Sequence, residues 1–310
     1  MIINHLDTNP IIDPYANVKL TEMGNVVEVQ FMSRYNHAQT IQMLKGGKQF
    51  MQLSTGEIKD CKKHDSRCQS YKNLSRTFKL IRDVINTNIT DVENVLFVTL
   101  TYAENMTDTV KLYKDADKFR KRLEYQFKKS GYPHFVFISI AEPQGRGAWH
   151  LHELYIFDSK APFIPNADIA KIWGHGFTKT KKVDDIDNVG AYLTAYLTDL
   201  PLDECDEFDL FNASEIKTID DIDEDGNKIQ KRVVKGARLK YYPSGFKILR
   251  HSKKGIKMPE SKTVYKKDAD LFTESMCLTY EKTLELKDEE TDFSTVINTK
   301  YYNKARRNDR

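Results

Sequence analysis

The sequence holds only four cysteines in 310 residues: Cys61, Cys68, Cys205 and Cys277. That is too few for a disulfide scaffold and fits reduced thiols. Cys61, His64 and Cys68 match no zinc spacing well, and no second pair completes them. No run of 18 apolar residues occurs, which excludes a helical membrane span. The opening MIINHLDTNPIIDPY has no basic region followed by an apolar stretch, so a cytoplasmic protein without a secretory signal is expected. Internal repeats and low-complexity linkers are missing. So is any G-x-x-x-x-G-K-S/T: Gly46-Gly47-Lys48 lacks the preceding glycine and the following hydroxyl, which excludes a built-in P-loop helicase.

What is present is enough for a sizeable core: 40% of residues are hydrophobic and 30% charged, in one large domain or two ordinary ones. The net charge of +3 conceals two opposed blocks. Asp203 to Asp225 holds eleven Asp or Glu and one Lys, a balance of about −10. It reads as a segment with a mobile loop. Lys228 to Lys262 holds twelve Lys or Arg and one Glu, about +11. Tyr241, Tyr242 and Phe246 interleave with those cations. Cations for phosphates and rings for base stacking suit single-stranded nucleic acid, which makes Lys235, Arg238, Lys240, Tyr241, Lys247 and Arg250 candidate contacts. The competing reading is a solvated basic hairpin that neutralises the acidic segment beside it.

Periodicity predicts a strand over 26–32 and a helix over 73–87, with Leu74, Phe78, Ile81 and Ile85 along one side. A regular middle follows. Strands are predicted over 94–101, 135–142, 148–157 and 176–183, with PQGRG as a hairpin turn before the third. Helices are predicted over 115–130, ended by Gly131 and Pro133, over 166–173 with Asn166 as cap, and over 188–200. The order β-α-β-β-α-β-α implies an α+β fold, a mainly antiparallel sheet with flanking helices.

Three features carry chemistry. His150 and His152 are two apart on a strand, so both imidazoles project from one face as two ligands of one divalent metal would. Histidines also sit on strands as ordinary polar residues. Glu142 ends the preceding strand, and the short turn returns it toward those histidines. Two imidazoles and a carboxylate suit Mg or Mn with substrate oxygens completing the shell, although imidazole also suits zinc. Glu153 points to the other face and is excluded as a ligand. Tyr192 and Tyr196 lie one helical turn apart among Leu193, Leu197 and Leu200. Such tyrosines are commonly half-buried core, but a phenol also attacks phosphorus when a metal polarises the phosphate.

FVTLTY (97–102), AEPQGRGAWHLHELYIF (141–157) and AYLTAYLTD (191–199) resemble the three ordered motifs of HUH endonucleases. More narrowly, they resemble the rolling-circle replication initiation proteins of small plasmids and phages. The resemblance covers about a third of the chain. It implies a ferredoxin- or RRM-like palm, with His150, His152 and Glu142 as metal ligands and Tyr192 and Tyr196 as the tyrosine pair. It also implies site-specific nicking and joining of single-stranded or hairpin origin DNA through a 5′-phosphotyrosine, with a host helicase and polymerase as partners and no membrane. Relaxases and single-strand transposases share this chemistry, and a non-catalytic regulator on a degenerate fold is a further alternative. Many relatives carry a lysine three residues after a catalytic tyrosine. Here Ala195 and Asp199 stand there, which leaves Lys179, Lys181 or Lys182 to supply that charge. The domains expected are a 1–90 region packing on the nuclease, the nuclease over 91–202, an acidic loop over 203–226 and a basic DNA-binding region over 227–310. His175 is a candidate spare ligand or an ordinary turn residue.

Overall fold

The structure, a computed structural model, describes residues 2–35, 41–61, 71–145, 147–181, 183, 188–195, 197, 199–202, 216–222, 228–234, 237–288 and 293–307. His64, Cys68 and Cys205 lie outside these. The chain begins with strands β1 (Ile2–Leu6), β2 (Asn17–Met23), β3 (Val26–Met32), β4 (Ile41–Met43), β5 (Gln49–Gln52) and β6 (Ile58–Asp60). Next come α1 (Tyr71–Asn88), β7 (Val95–Thr101), α2 (Thr109–Lys129), β8 (Phe135–Pro143) and β9 (Trp149–Phe157). α3 (Asn166–Trp173), β10 (Thr178–Lys181), α4 (Val189–Ala195), β11 (Leu200–Pro201), β12 (Ile216–Ile222) and β13 (Lys228–Val234) follow. A 3-10 turn at Ala237–Tyr241 then leads to β14 (Leu249–His251), β15 (Glu260–Tyr265), α5 (Lys266–Thr273), β16 (Met276–Asp288) and β17 (Phe293–Arg307).

These elements form two compact units: residues 1–22, 27–65 and 260–310 in one, and 23–26 and 66–259 in the other. The grouping departs from the linear boundaries expected from sequence, because pairing is long-range. β2 runs antiparallel to β15, with Val18 opposite Val264, and β1 runs antiparallel to β16, with Asn4 opposite Glu285. The resulting sheet has the order β1-β16-β17-β3-β2-β15. Its core gathers Val18, Leu20, Val27, Val29, Ala269 and Met276.

In the second unit the elements run β7-α2-β8-β9-α3-β10-α4, the order read from periodicity. Their sheet has the order β10-β7-β9-β8-β14 and every pair is antiparallel. Counted within the motif, the first four strands lie 4-1-3-2, the split β-α-β arrangement. α2 starts earlier than expected because Asp108 Oδ1 accepts from the amides of Val110 (2.8 Å) and Lys111 (3.0 Å). Gly131, at φ +71°, follows its C-cap. Asn166 is not the cap of α3. It is the first helical residue, and its side chain ties α3 to β10 by donating to the Thr178 carbonyl at 2.8 Å. The segment expected as an acidic loop contains β12, because Ile216, Thr218, Ile219 and Ile222 suit a strand. It pairs with the basic β13, placing Thr218 opposite Arg232 and Asp220 opposite Gln230.

The two faces of the five-stranded sheet differ. On β9, Leu151, Glu153, Tyr155 and Phe157 are buried, whereas His150, His152 and Ile156 are half-buried. α2 covers the buried face with Phe119, Leu123 and Phe127, and the Phe127 ring lies 5.3 Å from that of Phe135. Glu153 is on this face, as expected, and fully buried. It accepts from Arg120 Nη1 at 2.8 Å and Ser139 Oγ at 2.6 Å. Removing one partner leaves the other charge buried. Glu153→Ala is therefore expected to cost about 3–5 kcal/mol, and Arg120→Met with Glu153→Leu to cost less than either single change. Urea titration of the three variants checks this.

Candidate active site

β9 lies between β7 and β8. His150 is opposite Thr101 on one side and Glu142 on the other, and His152 is opposite Thr99 and Ile140. Cross-strand partners share a face. Glu142, His150, His152, Thr99 and Thr101 thus stand together on the face that α2 leaves uncovered. The His152 ring stacks on Phe97 with centroids 5.7 Å apart, and its Nδ1 is 3.3 Å from Thr99 Oγ1. These contacts aim Nε2 at Glu142 Oε2, with which it is in direct contact. The first motif thus serves His152 as well as the strand, since Thr99 bonds it directly.

Glu142 is buried, which alone would raise its pKa. The Arg238 guanidinium and His152 outweigh that, and the carboxyl is held at about 2, ionised through the neutral range. Arg238 Nη1 sits 2.8 Å from Glu142 Oε1. A carboxylate and two imidazoles on one sheet face fit a divalent ion in donor type. The ionised state of Glu142 fits as well, since a ligand must be deprotonated. Among the described residues, however, no group of three His, Cys, Asp or Glu is already gathered at one metal-sized point. The fit is therefore one of donor type, charge and shared face.

α4 is anchored at its start. Asn188 Oδ1 accepts from the Ala191 amide at 2.8 Å and from Asn86 Nδ2 of α1 at 2.8 Å. Asn86 Oδ1 in turn accepts from the Gly190 amide at 2.7 Å. A Cβ at position 190 would lie 2.3 Å from the Arg82 carbonyl oxygen, so glycine is what lets α4 approach α1. Sequence reading missed Asn86 and Asn188. The Asn-x-Gly at a helix start was the available signal. Tyr192 lies on α4. Its side chain and all of Tyr196 are outside the described residues. The helix predicted to run to 200 ends at Ala195, and β11 begins at Leu200.

The remaining candidates disperse. Lys235 and Lys182 lie outside the described residues. Lys247 is exposed, while Lys240 and Tyr241 are half-buried, with Lys240 Nζ 4.9 Å from the Tyr241 ring centroid. Arg250 lies over the Tyr113 ring at 4.7 Å and 3.4 Å from Asp117 Oδ1. Arg238, expected on a DNA-facing surface, is 5% exposed and bound to Glu142. Its guanidinium is spent inside the unit. His175 stands apart from Glu142: it lies 3.8 Å from Asp115 Oδ1 and packs against Trp173 at 4.9 Å. Lys179 is opposite Thr99, itself opposite His152, so it lies on the same sheet face two strands away.

Residues 95–200 match a family model described as a replication-associated protein of the ORF2 type. That span contains Glu142, His150, His152, Tyr192 and Tyr196, and it makes this part of the chain similar to replication-associated proteins. No curated protein and no solved structure matches the chain. No described helix is long and apolar enough to cross a membrane.

Proposed function

We propose that this chain initiates rolling-circle replication by nicking and rejoining single-stranded or hairpin origin DNA through a tyrosine. One observation carries the reading: Glu142, His150 and His152 share one face of the sheet inside the segment that resembles replication-associated proteins. These three residues would hold a Mg or Mn ion, whose charge would polarise the scissile phosphate. The phenolic oxygen of Tyr192 or Tyr196 attacks phosphorus in line. A bond to the 5′-phosphate forms, the bond to the 3′ oxygen breaks, and a free 3′-OH remains for a polymerase. Attack by a 3′-OH on the phosphotyrosine reverses the step and rejoins the strand. Thr99 and Phe97 hold the His152 ring for its task. Lys179 and Lys181 stand on the same face and offer the positive charge that Ala195 and Asp199 do not. Duplex opening falls to supercoiling or a host helicase.

The reading is tested with labelled single-stranded oligonucleotides scanned along a candidate origin in the presence of Mn²⁺. The expected product is a slow-migrating protein–DNA adduct, mapped by mass spectrometry to Tyr192 or Tyr196. Binding without cleavage at any oligonucleotide would favour a non-catalytic regulator. Strand transfer into an unrelated end would favour a relaxase or transposase.

Affinity is expected to rest on cations away from the reacting centre. Changing Lys235, Lys240 and Lys247 together to Gln should flatten the slope of log K against log salt by about 2, since each phosphate contact on a single strand contributes about 0.7. Arg238→Gln should leave that slope alone. A triple variant with the parental slope would mean that these lysines only balance the acidic strand.

A further inference from the structure

Arg238 makes three charge-assisted contacts from a site that is almost closed to solvent. Nη1 reaches Glu142 Oε1 at 2.8 Å and the Pro143 carbonyl at 2.6 Å. Nε donates to the Asp199 carbonyl at 3.0 Å. The first two partners lie at the end of β8, where the candidate acid stands. The third lies just past α4, which carries Tyr192. The same turn supplies a second tie, because the Tyr242 hydroxyl donates to the Leu197 carbonyl at 3.1 Å. Tyr242 is itself fully buried, with its ring against Phe78 of α1 and Trp149 at the start of β9. One guanidinium thus joins two segments that are otherwise separate in sequence, and its rigid fork fixes the angle between its contacts as an ammonium cannot.

We infer that Arg238 is a positioning residue for the nicking reaction: it clamps the Glu142 carboxylate and the segment following α4 in one fixed relation, so that the tyrosine segment is presented to the His–Glu face. This rests on the phosphotyrosine reading and adds to it a residue outside the three motifs. The clamp acts on the rate of the chemical step, because Arg238 is buried and does not meet solvent or DNA.

The test compares the full-length parent, Arg238→Ala and Arg238→Lys in single-turnover cleavage of an oligonucleotide that the parent cleaves, with Mn²⁺. Amide hydrogen exchange of the same proteins is measured without DNA or metal. A shift of the acid relative to the nucleophile by about 1 Å costs about 100-fold in rate, and that loss is expected for Arg238→Ala with oligonucleotide affinity unchanged. Exchange should quicken in peptides covering 189–202 and stay as in the parent across β7 and β9. Arg238→Lys should retain part of the rate, and added guanidinium ion should restore part of it to the alanine variant. An undiminished cleavage rate in Arg238→Ala overturns the inference. So does an equal loss in both variants with no guanidinium rescue and faster exchange throughout the sheet, which would make Arg238 scaffold only. A parent that forms no covalent adduct overturns the phosphotyrosine reading itself, and with it the catalytic role. Parental exchange at 189–202 in Arg238→Ala overturns the clamp separately.

Discussion

Tyr192→Phe and Tyr196→Phe are each expected to retain some nicking of an origin oligonucleotide, and the double variant to lose at least about 1,000-fold. Rolling-circle replication needs two transesterifications, one to open the circle and one to close it after synthesis. With two phenols on neighbouring turns, one holds a 5′ end while the other attacks. The residues that would pick one tyrosine are missing: Ala195 and Asp199 occupy the positions where a lysine accompanies the nucleophile in many relatives. Leu193 and Leu197, both buried, supply packing for the segment without a phenol. If only one tyrosine reacts, one single variant will be inactive and the other normal in the same gel assay. Full nicking by the double variant, with no adduct, would remove tyrosine chemistry and leave water as the nucleophile.

The second large effect concerns the shared face of β8 and β9. His150→Ala and His152→Ala should each match the effect of a chelator, a loss of about 1,000-fold in cleavage if the bound ion supplies several kcal/mol to the transition state. DNA binding should fall much less, because the cations proposed to hold the strand lie elsewhere. The pair of measurements, cleavage by gel and affinity by anisotropy, separates chemistry from binding. Undiminished cleavage by the double alanine variant would dismiss the metal assignment. Equal loss of both readouts would instead mean that the histidines support the fold.

Much of this site could be read from residue order alone. The alternation in VLFVTLT and WHLHELYIF has the period of a strand, and it separates Glu153 from the two histidines before any coordinates are known. A β-hairpin then follows from the short turn, and the hairpin brings Glu142 opposite His150. What could not be read shares one cause: distance along the chain. Arg238 is one cation among twelve in a basic run, and nothing local marks it as the partner of a carboxylate 96 positions earlier. Its apolar neighbours Ala237, Leu239 and Tyr242 were the only hint of burial. Asn86 and Asn188 likewise meet across 102 positions. The acidic stretch was misjudged for a different reason. Its charge suggested a loop, while the Ile and Thr between the acids specified the strand that pairs with β13.

The interleaving of the two units along the chain has a consequence for how the molecule is made. Residues 66–259 emerge from the ribosome as one uninterrupted stretch and hold every strand of the five-stranded sheet. β1, β2 and β3 are made first, yet β1 pairs with β16, β2 with β15 and β3 with β17. At about 5–20 residues per second, those strands wait roughly 10–50 s between their own synthesis and that of their partners. The unit holding the candidate catalytic residues can therefore complete while the other still exposes open strand edges. A nascent chain halted before residue 260 would carry the His–Glu face and α4 together with three strands short of a partner, a state prone to edge-to-edge association.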